Sequence, residues 1–266
     1  MTEGRTGRRA DGLACPERSE RGGRALLLLL AIHAFTPLRL YALFQGDLDP
    51  RGTADRYEAI LARDSLDATA NWRAAVALVD IGKQTPDKGK NRTRDSLYRQ
   101  AELYARRAVR LAPDSAGSHF ALAIALGKVS MTLGSNKRLQ YARDVREHAL
   151  RAIEIDPGHD GAWHVLGRWN AEIERLSNLQ EFLAKTILGG KVLSEASWDE
   201  AIRCMRKAVE LRPAFIFHRL DLAEMLIEIK RPAEAKPELE AIQRLQNLDV
   251  MDHVHRARAA ALLKRI

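Results

Sequence analysis

Apolar residues between positions 47 and 266 recur at the spacing that places them on one face of an α-helix, and no window alternates with the period of two typical of a strand. The stretch "DGAWHVLGRWNAEIERL", Asp160 to Leu176, is one such helical pattern. It contains Gly167 in its middle, although a glycine inside a helix costs about 1 kcal/mol relative to alanine. The pattern predicts an all-α protein in which a neighbouring helix approaches Gly167 closely.

A second motif, in which small residues precede an apolar pair and a proline, occurs three times. The copies are "YARRAVRLAPDS", "HALRAIEIDPGH" and "CMRKAVELRPAF", with prolines at Pro113, Pro157 and Pro213. A weaker copy, "YEAILARDSLD", has Ser65 in place of the proline. Because proline stops a helix and turns the chain, each copy is predicted to be the second helix of a helical pair.

Each of the three proline-containing copies follows a first-helix motif in which a bulky residue, a leucine and a small residue occur in that order. The stretches "LAEML" and "AEAKPEL" form the first and second helices of a fourth unit. This pairing is typical of the tetratricopeptide repeat, whose length is 34 residues. The ends of successive second-helix motifs lie 48, 44 and 56 residues apart, and the surplus falls between the two helices of each unit. The sequence therefore predicts a tetratricopeptide-like α-solenoid of about four helix pairs with long inter-helix insertions. The residues predicted to build the repeats are Ala75, Ala108, Pro113, Ala123, Ala152, Pro157, Trp163, Leu166, Gly167, Ala201, Ala208, Pro213, Ala223 and Ala235.

The longest insertion, in the third unit, has an apolar stripe of its own. Its members are Leu176, Leu179, Phe182, Leu183, Ile187 and Leu188. Helical spacing predicts that the helix beginning at Asp160 continues to the terminator Gly189-Gly190, and Ser197 with Glu200 predicts a capping box for the next helix. The stripe either packs on neighbouring repeats or lines a groove for a lipid tail or a partner's helix.

The first 46 residues differ in character from the rest and are predicted to be a targeting segment. An arginine- and glycine-rich stretch precedes the apolar run "ALLLLLAI" at residues 25–32, which resembles the charged and apolar parts of a secretory signal. The run is shorter than the roughly 20 residues that span a membrane. Export to the periplasm or another extracytoplasmic space is expected, with an N-terminal membrane anchor and a cytoplasmic location as alternatives. The segment would also carry any peripheral membrane association.

Composition narrows the class of protein further. A hydrophobic content of 46% favours a folded domain, and the net charge of +8 is spread along the chain rather than clustered, so no nucleic-acid surface is expected. Cys15 and Cys204 are far apart in the sequence and suggest neither a disulfide nor a metal site. The final segment, "MDHVHRARAAALLKRI", is predicted to cover the exposed face of the last unit.

Motifs that would indicate an enzyme are incomplete. "ILGGKVLSE" contains Gly-Gly-Lys but lacks the earlier glycine and the Ser or Thr that follows the lysine in a phosphate-binding loop. His159 and His164 are five residues apart, and His253 and His255 are two apart, so neither pair has the spacing of a helical zinc motif. No G-x-S-x-G or C-x-x-C motif is present. We therefore expect no catalysis, no cofactor and no metal.

The run "HVLGRWNAEIERLSNLQEFLAKTILGG", followed by "ASWDEAIRCMRKAVELRPAF" and "FHRLDLAEMLIEIKRPAEAK", resembles the repeat region of the regulator of microtubule dynamics proteins and their bacterial relatives. The resemblance covers roughly residues 95–250. The eukaryotic family includes a mitochondrial outer-membrane protein that tethers to the endoplasmic reticulum and whose repeat domain binds phospholipid. The resemblance implies a binding or scaffold role rather than catalysis; tubulin binding is not implied for a chain with a bacterial-looking export signal.

Residues 47–266 are thus expected to hold a partner protein segment on the concave face of a repeat array. The alternative is a phospholipid or other amphipathic ligand in a groove walled by residues 176–193. The candidate contact residues are Arg138, Arg143, Arg168, Asn170, Phe182, Ile187 and His218. Arg138 and Arg143 are included because the basic run "SNKRLQYARDVREH" would suit a phosphate or an acidic peptide.

Overall fold

The computed structural model describes residues 48–85, 89–176 and 195–266, and over these residues the chain forms ten α-helices and no strand. The helices are α1 (Pro50–Leu61), α2 (Ala68–Lys83), α3 (Arg92–Leu111), α4 (Ala116–Ser130), α5 (Ser135–Ile155), α6 (Asp160–Glu174), α7 (Trp198–Leu211), α8 (Ile216–Glu228), α9 (Pro232–Arg244) and α10 (Asp252–Leu263).

Four antiparallel helix pairs follow one another along the chain, as the sequence predicts. The pairs are α2 with α3, α4 with α5, α6 with α7, and α8 with α9, and each second helix also packs on the first helix of the next unit. Pro113, Pro157 and Pro213 each lie two residues past the end of a second helix. The tetratricopeptide-like solenoid is therefore confirmed.

Small residues lie where the paired helices touch. Gly167 packs against α7, since a Cβ atom added there would lie 3.1 Å from the carbonyl oxygen of Ala201 and 3.3 Å from Met205. The predicted repeat alanines are all at most 1% exposed, namely Ala75, Ala108, Ala123, Ala152, Ala201, Ala208, Ala223 and Ala235. Leu166 is buried beside them, and Trp163 is half-buried with its indole N–H donating to the carbonyl of Pro157. A glycine in the middle of a helix permits this close approach of the two paired helices, because it has no side chain.

In the first two units, the residues in excess of the 34-residue repeat lengthen the second helix. Helices α3 and α5 have 20 and 21 residues, whereas α7 and α9 have 14 and 13. The turn between α4 and α5 is correspondingly short, residues 131–134. The expectation that the extra residues form long turns is thus wrong for the second unit, because the amphipathic pattern of α5 continues through them without a break.

The third unit differs from expectation in another way. Helix α6 ends at Glu174, where the backbone N–H of Arg175 closes the last turn on Ala171, so the predicted continuous helix from Asp160 to residue 188 does not form. Most of the apolar stripe, including Phe182 and Ile187, lies outside the described residues. One half of the predicted capping box is present, as Ser197 accepts a hydrogen bond of 3.0 Å from the backbone N–H of Glu200, whereas the Glu200 carboxylate binds Arg203.

Both ends of the array are covered by single helices. Helix α1 packs on α2, and α10 packs on α9 and α8, which confirms the predicted role of the final segment. Arg256 of α10 donates to the carbonyls of Ile242 and Leu245, and the buried carboxylate of Asp252 accepts from the backbone N–H groups of Leu248 and Asp249. These contacts fix α10 to the end of α9. The predicted targeting segment, residues 1–46, lies outside the described residues.

The first helices form the inner side of the curved array. Helix α2 packs directly on α4, and α8 on α10, whereas successive second helices in the described part are joined mainly through side chains such as Tyr141 with Glu102 and Arg206 with Glu234. In a curved array, the helices on the inner side lie closer to one another than the helices on the outer side do. Among the described helices, none is both long and apolar enough to cross a membrane.

Candidate functional site: the inner face of the first helices

Aromatic side chains of successive first helices form a ladder along the inner face. Trp72 of α2 covers Gly117 of α4, where a Cβ atom would lie 2.9 Å from the indole ring. Phe120 of α4 covers Gly161 of α6 in the same way, at 2.6 Å, and its ring lies 4.6 Å from that of His159. The glycine in each following unit makes room for the aromatic ring before it. We call these two contacts the aromatic ladder.

The aromatic ladder is only half-buried and lies beside aliphatic side chains. Val76 and Ile124 occupy the next turn of α2 and α4, and both are half-buried against the core. The guanidinium of Arg73 lies 4.5 Å from the ring centroid of Trp72, an arrangement that stabilises a cation on an aromatic face. The first two units therefore present a shelf that is mainly apolar and partly open to solvent.

The inner face continues as a groove between α6, α8 and α10. The groove has a volume of about 500 Å³. Apolar side chains at its base include Met225, Ile227 and Leu262, and its other lining residues are Arg168, Glu172, Arg175, Asp221, Glu224, Glu228 and Arg258. A pocket of this size lies within the range found for small-ligand and peptide sites.

Charges that line the groove are paired across it. Arg168 of α6 donates to Asp221 of α8 at 2.9 Å, Arg175 of α6 binds Glu228 of α8 at 2.6 Å, and Arg258 of α10 contacts Glu224 of α8. Since each of these arginines has an acidic partner on the neighbouring helix, the groove has no strong preference for a charged ligand.

A row of buried polar side chains joins α6 to α8 below this groove. His218 Nε2 lies 2.8 Å from Asp160 Oδ2, the Nδ1 atoms of His218 and His164 lie 2.8 Å apart, and His164 Nε2 lies 3.2 Å from Asp221 Oδ2. All four residues are at most 7% exposed. We call this row the polar seam. Between α6 and α8, the polar seam takes the position that apolar packing has between α2 and α4.

Burial and neighbouring charges shift the pKa values within the polar seam. Burial, together with the charge of His164, lowers the pKa of His218 to about 4. Burial alone would raise the pKa of Asp221, but the positive charge of Arg168 and the adjacent His164 ring hold it below its ordinary value. Burial likewise opposes ionisation of Asp160, and the hydrogen bond from His218 outweighs it, so its pKa is also lowered. Both carboxylates are therefore ionised at neutral pH.

The structure brings together only some of the candidate contact residues. Arg168 lines the groove and His218 lies in the polar seam beneath it. Asn170 is 3% exposed, and its side chain donates to the carbonyl of Leu166 within its own helix. This buried side chain therefore has a structural role. Arg138 and Arg143 are exposed on α5, a second helix, and do not line the groove. Phe182 and Ile187 lie outside the described residues.

Sequence reasoning missed the aromatic ladder. Trp72 and Phe120 occupy the same position of two successive first helices, and a glycine follows each at the matching position of the next unit. Aligning the units by their small residues would have shown this repeat of aromatic and glycine. The polar seam had no comparable signal, because Asp160 and His218 lie 58 residues apart.

Comparison with known proteins agrees with this architecture. Regulator of microtubule dynamics protein 3 of Rattus norvegicus is 28% identical over 178 residues, which cover 66% of this chain and 37% of the relative. Regulator of microtubule dynamics protein 1 of Mus musculus is 28% identical over 153 residues, 58% of this chain and 49% of the relative. The matched region thus spans less than half the length of these relatives.

A solved structure shows the same fold. The crystal structure of a thermophilic TPR protein of Thermus thermophilus superimposes with a TM-score of 0.56 at 18% identity, covering 84% of this chain and 95% of that one. The sequence model described as "Regulator of microtubule dynamics protein 1-3" matches residues 42–266, which include every described helix. The chain therefore belongs to the regulator of microtubule dynamics protein 1–3 family.

Proposed function

We propose that this protein is a non-catalytic scaffold whose inner face holds a segment of a partner protein. Membership of a repeat family with a tetratricopeptide-like fold supports an interaction role in general. The observation that supports the inner face as the binding surface is the half-buried aromatic ladder, in which Trp72 and Phe120 lie beside Val76 and Ile124. Aromatic side chains with one open face commonly anchor protein partners.

The chemistry of the inner face favours an apolar segment as the partner. The shelf of the first two units is apolar, and the charges of the groove that follows it already have partners on neighbouring helices. A charged segment would have to break those pairs, whereas apolar side chains placed at helical spacing could pack directly on the shelf. The partner is therefore expected to present a stripe of apolar residues.

A bound phospholipid is the second candidate ligand raised by the sequence, through the apolar stripe of the third insertion. That stripe lies almost entirely outside the described residues, whereas the apolar shelf that supports a protein partner is formed by described residues. The two proposals are separable by experiment. Mass spectrometry of an organic extract of the purified full-length protein would detect a co-purifying lipid.

The protein-binding proposal is tested by affinity capture from extracts of the source organism with the full-length chain. Wild type is compared with a Phe120→Ala, Ile124→Ala double variant, which removes the centre of the shelf. The matched control is Leu103→Ala with Leu150→Ala, since these leucines are 67% and 37% exposed on second helices.

We expect wild type and the control to capture the same proteins and the shelf variant to lose them. Thermal unfolding of each variant verifies that it is folded. Equal capture by all three proteins would place the partner site elsewhere. Capture of no protein together with a stoichiometric lipid in the extract would favour the lipid as ligand.

A further inference from the structure

Helix α3 has on its outward side a row of arginines that the other described second helices lack. Successive members of the row are three or four residues apart, so they lie on one face of the helix. The row consists of Arg92, Ser96, Arg99, Leu103, Arg107 and Arg110. The opposite face of α3 is the buried one, with Tyr98, Ala101, Ala105 and Ala108. We call this row the basic stripe.

The two acidic residues of α3 lie beside the basic stripe rather than on it. Glu102 binds Arg106 at 2.7 Å and accepts a hydrogen bond from Tyr141 of α5. Asp95 binds Arg94 at 2.9 Å. None of the stripe arginines has a carboxylate partner among the described residues. Since like charges three residues apart destabilise a helix, an anionic ligand would stabilise this face.

The outward faces of the next two second helices have charges of both signs. Helix α5 has Arg143 and Glu147 there. Helix α7 has Asp199, Arg203 and Glu210. Over their whole length, α3 has six basic and two acidic side chains, α5 five and three, α7 three and three, and α9 two and three. A mixed face is the usual solvated surface, so the basic stripe differs from the corresponding faces of α5 and α7.

The position and the shape of the basic stripe suit a planar surface. As a second helix, α3 lies on the outer side of the curved array, and a convex surface touches a plane along a line. Its 20 residues give a line of about 30 Å. Leu103, near the middle, is 67% exposed. Arginines around an apolar side chain are typical of a helix that lies in a bilayer interface, where guanidinium groups bind lipid phosphates.

Two observations favour a bilayer over another anionic partner. Nucleic-acid surfaces commonly place aromatic side chains among the basic ones, and the basic stripe has no aromatic residue. The chain also contains the apolar run at residues 25–32, ahead of α1, and Glu58 of α1 accepts a hydrogen bond of 3.0 Å from Gln100 of α3. The residues between this run and Pro50 span at most roughly 60 Å, which exceeds the length of α3.

We propose that α3 lies on the surface of an anionic lipid bilayer, with the stripe arginines bound to lipid phosphates and Leu103 in the headgroup region. The bilayer is therefore on the outer side of the array. The inner face points away from it, so the protein can hold its partner while bound to the membrane.

The proposal is tested by co-sedimentation of the full-length protein with phosphatidylcholine vesicles that contain or lack phosphatidylglycerol. The stripe variant is Arg99→Gln, Arg107→Gln, Arg110→Gln. Each basic residue at an anionic surface strengthens binding about fivefold, so the stripe variant should bind the anionic vesicles roughly a hundredfold more weakly than wild type. Added salt should weaken wild-type binding, because it screens these charges.

The matched control removes the same charge from the far end of the array, at exposed positions of α9 and just past α10. It is Lys236→Gln, Arg244→Gln, Lys264→Gln. The control should bind anionic vesicles as wild type does. Equal binding by wild type and the stripe variant, or an equal loss in the control, would overturn the proposal. Loss of polyglutamate binding in the stripe variant, with vesicle binding intact, would assign the basic stripe to an acidic macromolecule and would also overturn it.

A second measurement locates the bilayer without removing any arginine. An environment-sensitive fluorophore is attached at Leu103→Cys, or at Val254→Cys on α10, in a Cys15→Ser background; Cys204 is buried and does not compete for the label. Val254 is 44% exposed. Anionic vesicles should shift the emission to the blue at position 103 and leave it unchanged at position 254. No shift at position 103, or the same shift at both positions, would refute the proposed contact.

Discussion

At the scale of single residues, space beside a helix decides which small side chains the fold requires. Gly167 and Gly127 are both inside helices, yet a Cβ atom at Gly167 would meet α7 and one at Gly127 would meet nothing within 4 Å. The prediction of a packing glycine at 167 followed from the repeat motif alone, because the motif specifies which helix faces touch.

The two glycines provide a matched test. Gly167→Leu should lower the free energy of unfolding by about 1–3 kcal/mol, because the new side chain overpacks the α6/α7 contact. Gly127→Ala should instead raise it by about 0.5–1 kcal/mol, since alanine favours the helix and space is available. Chemical denaturation measures both; a Gly167→Leu protein as stable as wild type would contradict the assigned contact.

Lys230 has a backbone conformation that a glycine would adopt more easily. It has φ 64° directly after the C-cap of α8, where its N–H bonds to Ile227 and that of Arg231 bonds to Leu226. Lys230→Gly should raise the free energy of unfolding by about 0.5–1 kcal/mol, because the left-handed strain outweighs the added freedom of the unfolded chain. A lower melting temperature for Lys230→Gly would show that the lysine side chain contributes more than the backbone strain costs.

At the scale of helices, the sequence specified which segments pair but not how long each helix is. The prolines place the ends of α3, α5 and α7, because they act through local sterics. The start of α5 is set by how far an amphipathic face stays buried, and its pattern continues through residues that the 34-residue repeat treats as surplus. Helix length was therefore underestimated.

Buried histidines at the helix contacts make the stability of the fold sensitive to acid. Burial lowers the pKa of His148, His159 and His218, the last to about 4. Below pH 6.5 the unfolded chain therefore binds protons that the folded chain does not. The free energy of unfolding should fall between pH 6.5 and 4, by up to roughly 1.4 kcal/mol per pH unit for each of the buried His159 and His218, and by less for the half-buried His148.

Denaturation curves at pH 7 and pH 5 check this expectation. His218→Gln should reduce the difference between the two curves, because it removes one of the groups responsible. A free energy of unfolding that is the same at both pH values would contradict the burial of these rings as neutral groups.

At the scale of the whole molecule, the proposed function depends on surfaces that only the curved array creates. The concave face was predicted from the repeat, but the side chains that form it were predicted only in part. Arg168 lies on it, whereas Trp72 and Phe120 were not singled out, because each is half of a contact completed by a glycine more than 40 residues away. Contacts between units depend on the rise and turn of the solenoid, which short motifs do not encode.

The most direct test of the central claim is photo-crosslinking in cells of the source organism. A photoreactive amino acid is placed at Val76 or Ile124 on the inner face, and in a matched protein at Leu103 or Leu150 on the second helices. The account predicts a discrete protein crosslink from the inner positions that the outer positions do not give. Crosslinks to the same protein from the outer positions, with none from the inner ones, would contradict it.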